Sequence, residues 1–189
     1  MNKLIKNLEI YLLALLQNDL INKYSRILDA GCGAARNSEY FIENNYDVTL
    51  IDHTVHPIIH ETPELTARFS RADIHELPFK EGQFGFVICN AVLHFAMNQK
   101  SFDIMFNELW RVLATNGILF VRTCVKDGLE SYNLKESQLQ ELPDGSLRYL
   151  TSLSILEDKL NEKQGRFIAP LKTALIYKQR SMATLCAQK

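Results

Sequence analysis

The stretch that decides the fold reads Ile27-Leu-Asp-Ala-Gly-Cys-Gly-Ala-Ala-Arg36. Its apolar first half predicts a short strand over Arg26–Ala30, and the Gly-x-Gly that follows predicts a sharp turn into a helix over Arg36–Asn44. Glycine suits such a turn because no Cβ obstructs the backbone or an approaching ligand. A helix that begins here would also point free N–H groups at an anionic or polar ligand. The stretch therefore predicts a ligand site at the carboxyl end of the first strand.

The rest of the chain alternates strands and helices. Further strands are predicted over Tyr46–Asp52, Arg68–Ala72, Phe84–Asn90 and Ile118–Cys124, and helices over Phe102–Leu113 and Leu150–Leu160. This alternation predicts a mostly parallel sheet with helices on both faces. After Gly165, apolar stretches over Leu171–Tyr177 and Ser181–Ala187 indicate an antiparallel hairpin. We therefore predict an α/β fold, a Rossmann-like three-layer sandwich with a mostly parallel seven-stranded sheet ordered 3-2-1-4-5-7-6 and an antiparallel last strand.

The composition is that of one globular domain. The 189 residues carry 21 basic and 22 acidic side chains, so neither nucleic acid nor a membrane is expected as a partner. No two of the 4 cysteines form a Cys-x-x-Cys pair, which favours a reducing cytoplasm and no zinc site. Leucines at helical spacing, Leu4, Leu8, Leu12 and Leu15, predict an N-terminal cap helix within residues 1–22. We expect a single domain over residues 1–189, closed by a hairpin at 165–189, as a monomer or homodimer.

Asp52 ends the second predicted strand, about twenty residues after the glycine turn. A carboxylate at this position can accept hydrogen bonds from both hydroxyls of a ribose. The alternative is that Asp52 caps the N-terminus of the following helix. Because nicotinamide oxidoreductases share the glycine turn and the acidic residue, this pair alone leaves a nicotinamide cofactor open.

Four segments agree, in order and spacing, with one known family. They are Leu28-Asp-Ala-Gly-Cys-Gly33, Ala72-Asp-Ile-His-Glu-Leu-Pro-Phe79, Phe84–His94 and Trp110–Phe120. Together they resemble the class I S-adenosylmethionine-dependent methyltransferases over residues 20–125. Nicotinamide oxidoreductases do not need the Ala72–Phe79 segment, so it favours a methyltransferase. The stretches Ala35–Ser38, Asn45–Val48 and Arg180–Leu185 are similar to those of tellurite-resistance-type small-molecule methyltransferases.

The resemblance implies which residues contact the methionine part of S-adenosylmethionine. Gly31 and Gly33, with Cys32 between them, would let the backbone meet this part of the cofactor. Asp29 would hold the ammonium group directly or through water. Asn90 would present its backbone carbonyl to the same ammonium group.

The resemblance also implies the contacts of the adenosine part. Asp52 would bind the ribose hydroxyls, and His53 would lie against the adenine. Asp73 would accept a hydrogen bond from the adenine amino group, and the N–H of Ile74 would meet the ring edge. Ala35 stands where the family has a third glycine, which favours the alternative of a cofactor-binding protein without catalysis.

The methyl acceptor is expected at the carboxyl ends of the fourth and fifth strands. His94 follows the fourth strand, where open α/β sheets place ligands, and is the candidate general base. Arg122, Arg148 and Tyr149 are candidate acceptor-binding residues, and the two arginines could grip an anion. The histidines have no tight ligand spacing, so we predict no metal site.

A small molecule is the predicted acceptor. Methyltransferases that act on exocyclic amines of nucleic acids usually have Asn- or Asp-Pro-Pro-Tyr after the fourth strand, whereas this chain has Asn90-Ala-Val-Leu93. The chain also lacks a basic stripe. We therefore expect an S-adenosylmethionine-dependent methyltransferase that forms S-adenosylhomocysteine. A protein side chain as acceptor is an alternative.

Overall fold

In the computed structural model, which describes residues 8–22 and 25–189, the predicted first strand lies in the middle of one large sheet. The strands are β1 (Arg26–Ala30), β2 (Asp47–Asp52), β3 (Phe69–Arg71), β4 (Phe84–Asn90), β5 (Leu113–Val125), β6 (Gln138–Glu141), β7 (Leu147–Leu150), β8 (Arg166–Phe167), β9 (Lys172–Ile176) and β10 (Arg180–Gln188). The helices are α1 (Ile10–Gln17), α2 (Glu39–Glu43), α3 (Pro57–Glu61), α4 (Pro63–Thr66), α5 (Gln99–Val112) and α6 (Leu153–Glu162), with a 3₁₀ turn at Leu93–Phe95.

The strand order confirms the predicted fold class. The sheet runs β3-β2-β1-β4-β5-β10, with β1 to β5 parallel and β10 antiparallel to β5. Among the described residues it has eight strands instead of seven, because β8, which precedes the predicted sixth strand, pairs with β10 in addition to β9. The segment between β8 and β9 includes Pro170, which has no N–H to donate to a neighbouring strand.

Helices cover both faces of the sheet. On one face, Phe106 of α5 and Leu160 of α6 lie in the same apolar cluster as Val121 of β5. On the other face, Phe41 of α2 lies in a cluster with Phe120 of β5. Phe120 and Val121 serve opposite faces because successive side chains of a strand alternate. The fold is therefore the three-layer sandwich that the sequence predicts.

The helix after the glycine turn starts later than predicted. α2 begins at Glu39 instead of Arg36, because the intervening backbone forms turns. The N–H of Ala35 donates to the carbonyl of Cys32, and the N–H of Ser38 donates to the carbonyl of Ala35, both at 2.8 Å. The N–H groups of α2 therefore lie too far along the chain to belong to the glycine turn, which corrects the predicted strand–turn–helix unit.

Within residues 8–22, one helix covers part of the predicted cap. α1 covers residues 10–17 of the predicted 1–22, and its Leu12 and Leu15 are buried as their spacing predicts. Leu4 lies outside the described residues. Within residues 8–22 and 25–189, no helix is long and apolar enough to cross a membrane.

Several elements are not evident in the sequence pattern. α3 and α4 are single turns that each begin with a proline, and β6 and β7 form a hairpin around Pro143-Asp144-Gly145. The predicted helix over Leu150–Leu160 begins only at Leu153, because Leu150 belongs to β7. β5 begins at Leu113, ahead of the predicted start at Ile118, and at Asn116 its N–H donates to the carbonyl of Lys189 at 2.8 Å. The β6–β7 hairpin carries Arg148 and Tyr149.

Candidate functional site

A cavity of about 400 Å³ opens where β1, β2, β3 and β4 end at their carboxyl edge. Its walls come from the segments that follow these four strands and from α5. They comprise Gly31, Gly33, Ile51, Asp52, His53, Ala72, Asp73, Ile74, His75, Ala91, Val92, Phe95 and Met105. Six of the predicted cofactor residues are among them: Gly31, Gly33, Asp52, His53, Asp73 and Ile74. Folding therefore brings residues from three predicted segments to one cavity.

A larger groove of about 530 Å³ lies between α1 and β10. Its walls include Tyr11, Leu15, Pro170 and Cys186. None of the residues predicted to bind the cofactor lines this groove, so we place the functional site at the smaller cavity.

The backbone N–H groups of the glycine turn are bonded within the protein. Those of Gly31 and Cys32 donate to the carbonyl of Ile51 at 2.8 and 2.9 Å. That of Gly33 donates to Oδ2 of Asp52 at 2.9 Å. The turn therefore offers no free N–H from these three residues to an anionic ligand, which corrects the expectation of an anion site at this turn.

Both glycines of the turn have left-handed backbones, with φ of 81° at Gly31 and 52° at Gly33. Their surroundings differ. A Cβ on Gly31 would lie 2.3 Å from Cγ2 of Val92, whereas a Cβ on Gly33 would meet nothing within 4 Å. Gly31 therefore accommodates the chain after β4, and Gly33 leaves its open side to the cavity.

We expect Gly31→Ala to lower the melting temperature more than Gly33→Ala. Both substitutions place an alanine in a left-handed conformation, which costs about 1–2 kcal/mol. Only Gly31→Ala adds a clash with Val92, at 2.3 Å. Thermal unfolding of both variants, with and without Val92→Ala, measures the difference. Val92→Ala should partly restore the melting temperature of Gly31→Ala and leave that of Gly33→Ala low. If Gly31→Ala lowers the melting temperature equally with and without Val92→Ala, the clash with Val92 is not the cause.

Asp52 connects the end of β2 to the glycine turn. Besides the bond from Gly33, its Oδ1 accepts from the backbone N–H of Thr54 at 3.1 Å and lies 3.1 Å from Nδ1 of His53. The alternative that Asp52 caps the next helix does not hold, because α3 begins at Pro57 and is capped by His56. The carboxylate is therefore held beside the open face of Gly33.

The adenine end of the predicted site lies around Asp73. Its Oδ1 accepts from the backbone N–H of His75 at 2.9 Å and lies 2.7 Å from Nδ1 of the same residue. The hydrogen bonds from His75 hold the pKa of this carboxyl below its usual value. Nε2 of His75 lies 2.7 Å from Oγ of Ser101. Asp73 is thus held as a carboxylate at the edge of the cavity, and His75 is a neighbour that sequence reasoning missed.

Three predicted cofactor residues do not line the cavity. Asp29 is buried behind the glycine turn, where its Oδ2 accepts from the hydroxyl of Ser38 at 2.7 Å. Burial raises its pKa to about 6, against the opposing effect of the Ser38 hydrogen bond. Cys32 is buried, and burial also raises the pKa of its thiol. Asn90 ends β4 with a buried Oδ1 that has no hydrogen-bond partner within residues 8–22 and 25–189.

His94 lies in the 3₁₀ turn after β4 and is only 3% exposed. Burial lowers its pKa to about 3, with additional contributions from the charges of Arg148, Arg180 and Arg122. A general base works best when its pKa is near the operating pH. His94 is therefore uncharged at neutral pH but a poor proton acceptor, and its surroundings do not favour the predicted base role.

The acceptor-binding candidates have different environments. Arg122 and Arg148 both lie near His94, whereas Tyr149 is fully buried. The Tyr149 ring stacks on Phe102 at 5.3 Å between centroids, and its hydroxyl donates to Gln99 at 2.6 Å. Tyr149 therefore packs α5 against the β6–β7 hairpin, and we do not include it in the binding site.

Sequence reasoning missed residues that form the walls of the cavity. Val92 and Phe95 line it from the segment after β4, and Met105 from α5. Arg180 joins the surroundings of His94 from the first position of β10. In the sequence, Arg180 could have been noticed because it begins the stretch Arg180–Leu185, which resembles the small-molecule methyltransferases. Its position near His94, however, depends on the pairing of β10 with β5.

Comparison of the sequence with known proteins gives matches to methyltransferases. A family model described as a methyltransferase domain matches residues 28–121, about half of the chain. The malonyl-[acyl-carrier protein] O-methyltransferase of Enterobacter lignolyticus is 28% identical over 146 residues, which cover 77% of this chain and 56% of that protein. The chain thus spans little more than half the length of this curated relative.

Solved structures with the same fold include two methyltransferases. A SAM-dependent methyltransferase from Methanosarcina mazei superposes with a TM-score of 0.73 at 20% identity, covering 92% of this chain and 96% of that one. Magnesium protoporphyrin IX methyltransferase from Synechocystis PCC 6803, with bound S-adenosylhomocysteine (SAH), has a TM-score of 0.72 at 17% identity, covering 100% of this chain and 88% of that one. At sequence identities of 20% and 17%, this structural similarity shows a shared fold and nothing further.

Proposed function

Because this chain belongs to the class I S-adenosylmethionine-dependent methyltransferase family, we propose that it methylates a small-molecule acceptor bound next to the cavity of about 400 Å³. S-adenosylmethionine, the cofactor of this family, supplies an activated methyl group on a sulfonium. The protein then has mainly to bind and orient two reactants, which can provide much of the acceleration.

The observation that carries the proposal is the arrangement of Gly33 and Asp52. The carboxylate of Asp52 is held by the Gly33 N–H at 2.9 Å, and both residues line the cavity. An Asp52 oxygen has lone pairs left to accept from ribose hydroxyls. The open space beside the Cα of Gly33 leaves room for the ligand to pass close to the backbone. The residues present therefore fit an adenosyl ligand.

The two ends of the cofactor are assigned to different groups. Asp73 and the N–H of Ile74 would meet the adenine, with His53 beside the ring. Asp29 and the backbone carbonyl of Asn90 would serve the ammonium group at the other end. The buried carboxylate of Asp29 supports this role indirectly, because a neighbouring cation would stabilise its ionised form.

Two alternatives are a nicotinamide cofactor and a cofactor-binding protein without catalysis. A nicotinamide dinucleotide needs free N–H groups for its pyrophosphate, and those of Gly31, Cys32 and Gly33 are already bonded within the protein. Ala35, the departure that favours a non-catalytic protein, is fully buried outside the cavity walls. Its methyl group therefore leaves the cavity open. The first observation favours an adenosyl ligand over a nicotinamide dinucleotide, and the second removes the objection that Ala35 would crowd the cofactor.

We expect isothermal titration calorimetry to show binding of S-adenosylmethionine and SAH in preference to NAD. The reason is the bonded glycine turn, which suits an adenosyl ligand without phosphates. Titration of the full chain with each of the three ligands measures this directly. Micromolar binding of NAD without any response to either adenosyl ligand would refute the proposed function.

A further inference from the structure

Three arginines from three different strands converge on His94. Arg122 lies on β5, Arg148 on β7 and Arg180 on β10. The charges of all three act on His94 and lower its pKa. Register places Arg122 beside Asn90 of β4 on one side and Thr184 of β10 on the other. We refer to these three arginines with His94 as the arginine cluster.

The arginine cluster contains buried donors without partners. Nε of Arg122, Arg148 and Arg180 is buried in each case and has no hydrogen-bond partner among the residues that the structure describes. Nδ1 of His94 is likewise buried and without a partner among these residues. Buried polar atoms in native proteins are nearly always hydrogen-bonded, and leaving one unpaired is costly. A concentration of unpaired nitrogens at one place therefore indicates a ligand that accepts hydrogen bonds.

The charges of the arginine cluster are only partly balanced. Arg180 pairs with Asp144, and Nε of Arg122 lies 3.9 Å from Oε1 of Glu9. The other oxygen of Glu9 accepts from the N–H groups at the start of α1. Arg148 has no carboxylate partner within residues 8–22 and 25–189. The arginine cluster therefore carries net positive charge in a partly buried place.

The arginine cluster adjoins the cofactor cavity. Phe95 lines the cavity, and the guanidinium of Arg148 lies over its ring, 4.7 Å from the centroid. Ala91, another wall residue, donates its N–H to the carbonyl of Arg122 at 2.8 Å. A molecule held by these arginines would thus lie beside the cavity proposed to bind the cofactor.

We propose, on the basis of the proposed methyltransferase function, that the methyl acceptor carries a carboxylate which Arg122, Arg148 and Arg180 bind. Guanidinium groups match the planar geometry of a carboxylate and form charge-assisted hydrogen bonds with it. The positive charge would repel an acceptor that arrives as a simple ammonium ion. The uncharged His94 adds a neutral hydrogen-bonding group without further charge. The arginine cluster thus selects the acceptor by its anionic group.

Acetate is the probe for this proposal, because it is the smallest ligand with the required group. Protein labelled at its histidine rings and saturated with SAH is titrated with sodium acetate by NMR, and the His94 signal is identified by its loss in His94→Gln. We expect acetate to shift this signal in a saturable way and acetamide to leave it unchanged. Arg148→Gln and Arg122→Gln should each weaken acetate binding by about tenfold or more.

The controls separate this proposal from the proposed function. Arg26→Gln removes an exposed arginine that pairs with Asp47, and it should leave acetate binding unchanged. Calorimetry on every variant should give unchanged SAH affinity, which also shows that the variant is folded. If SAH binds but acetate acts no differently from acetamide, or if acetate binds both arginine variants as tightly as the wild type, this inference is wrong. Binding of inorganic phosphate without acetate would overturn the assignment to a carboxylate. Failure of SAH to bind the wild type would refute the proposed function instead.

Discussion

Asp52→Asn should weaken the binding of SAH by about 10- to 100-fold. In the proposed complex, both ribose hydroxyls donate to the carboxylate of Asp52, and each charge-assisted hydrogen bond is worth about 1.5–3 kcal/mol net. Loss of one such bond corresponds to this range of affinity, since about 1.4 kcal/mol is a factor of ten. Calorimetric titration of the variant with SAH measures the change. Asn is the chosen replacement because it preserves the size of the side chain.

The stability of the same variant tests the assignment further. Asp52 accepts from the N–H groups of Gly33 and Thr54, at 2.9 and 3.1 Å, so Asp52→Asn should also cost about 1 kcal/mol of stability. Asp47→Asn is the matched control, because Asp47 begins the same strand at its exposed opposite end. It should leave SAH affinity intact. Unchanged affinity in Asp52→Asn with lowered stability would mean that Asp52 only supports the glycine turn.

Asp29→Asn should stabilise the ligand-free protein by about 3 kcal/mol above pH 6. Burial raises the pKa of Asp29 from 3.8 to about 6, which means that the folded protein pays for holding this carboxylate ionised. Asn removes the charge and can still accept from Ser38 through its amide oxygen. For a chain of this length the gain corresponds to roughly 6–12 °C in melting temperature. Thermal unfolding at pH 7.5 measures it.

The pH dependence of this effect has a definite sign. Below pH 3.8 the carboxyl is protonated in both the folded and the unfolded protein, so it contributes no difference. Between 3.8 and about 6 only the unfolded form ionises readily, and the wild type loses stability as the pH rises. The advantage of Asp29→Asn should therefore be complete at pH 7.5 and mostly gone near pH 4. An equal gain at both pH values would contradict the buried charge as its cause.

Two further measurements connect Asp29 to function. Ser38→Ala removes the hydrogen bond that stabilises the carboxylate, so it should destabilise the protein at pH 7.5, opposite to Asp29→Asn. If Asp29 holds the ammonium group of the cofactor, Asp29→Asn should bind SAH more weakly in spite of its higher melting temperature. Stability gained together with undiminished SAH affinity would exclude Asp29 from the cofactor site.

The sequence by itself determined the elements of the sheet and much of the cofactor site. The largely apolar stretches at 26–30 and 84–90 match β1 and β4 in both bounds, because strands buried on both faces leave a clear local pattern. The placement of Asp52 at the end of β2 was also predictable. In a parallel sheet, residues that follow adjacent strands meet at the same edge, so Gly33, Asp52 and Asp73 could be grouped from their positions alone.

Only the tertiary structure decided how the groups at this edge are used. Whether the N–H groups of the glycine turn are free depends on Ile51 and Asp52, which are about twenty residues away in sequence. Likewise, the arginine cluster depends on the pairing of β10 with β5 and on the β6–β7 hairpin, whose strands of four residues each are too short to give a clear local pattern. Hydrogen-bond partners, burial and pKa values arise from contacts between residues distant in sequence, which periodicity does not encode.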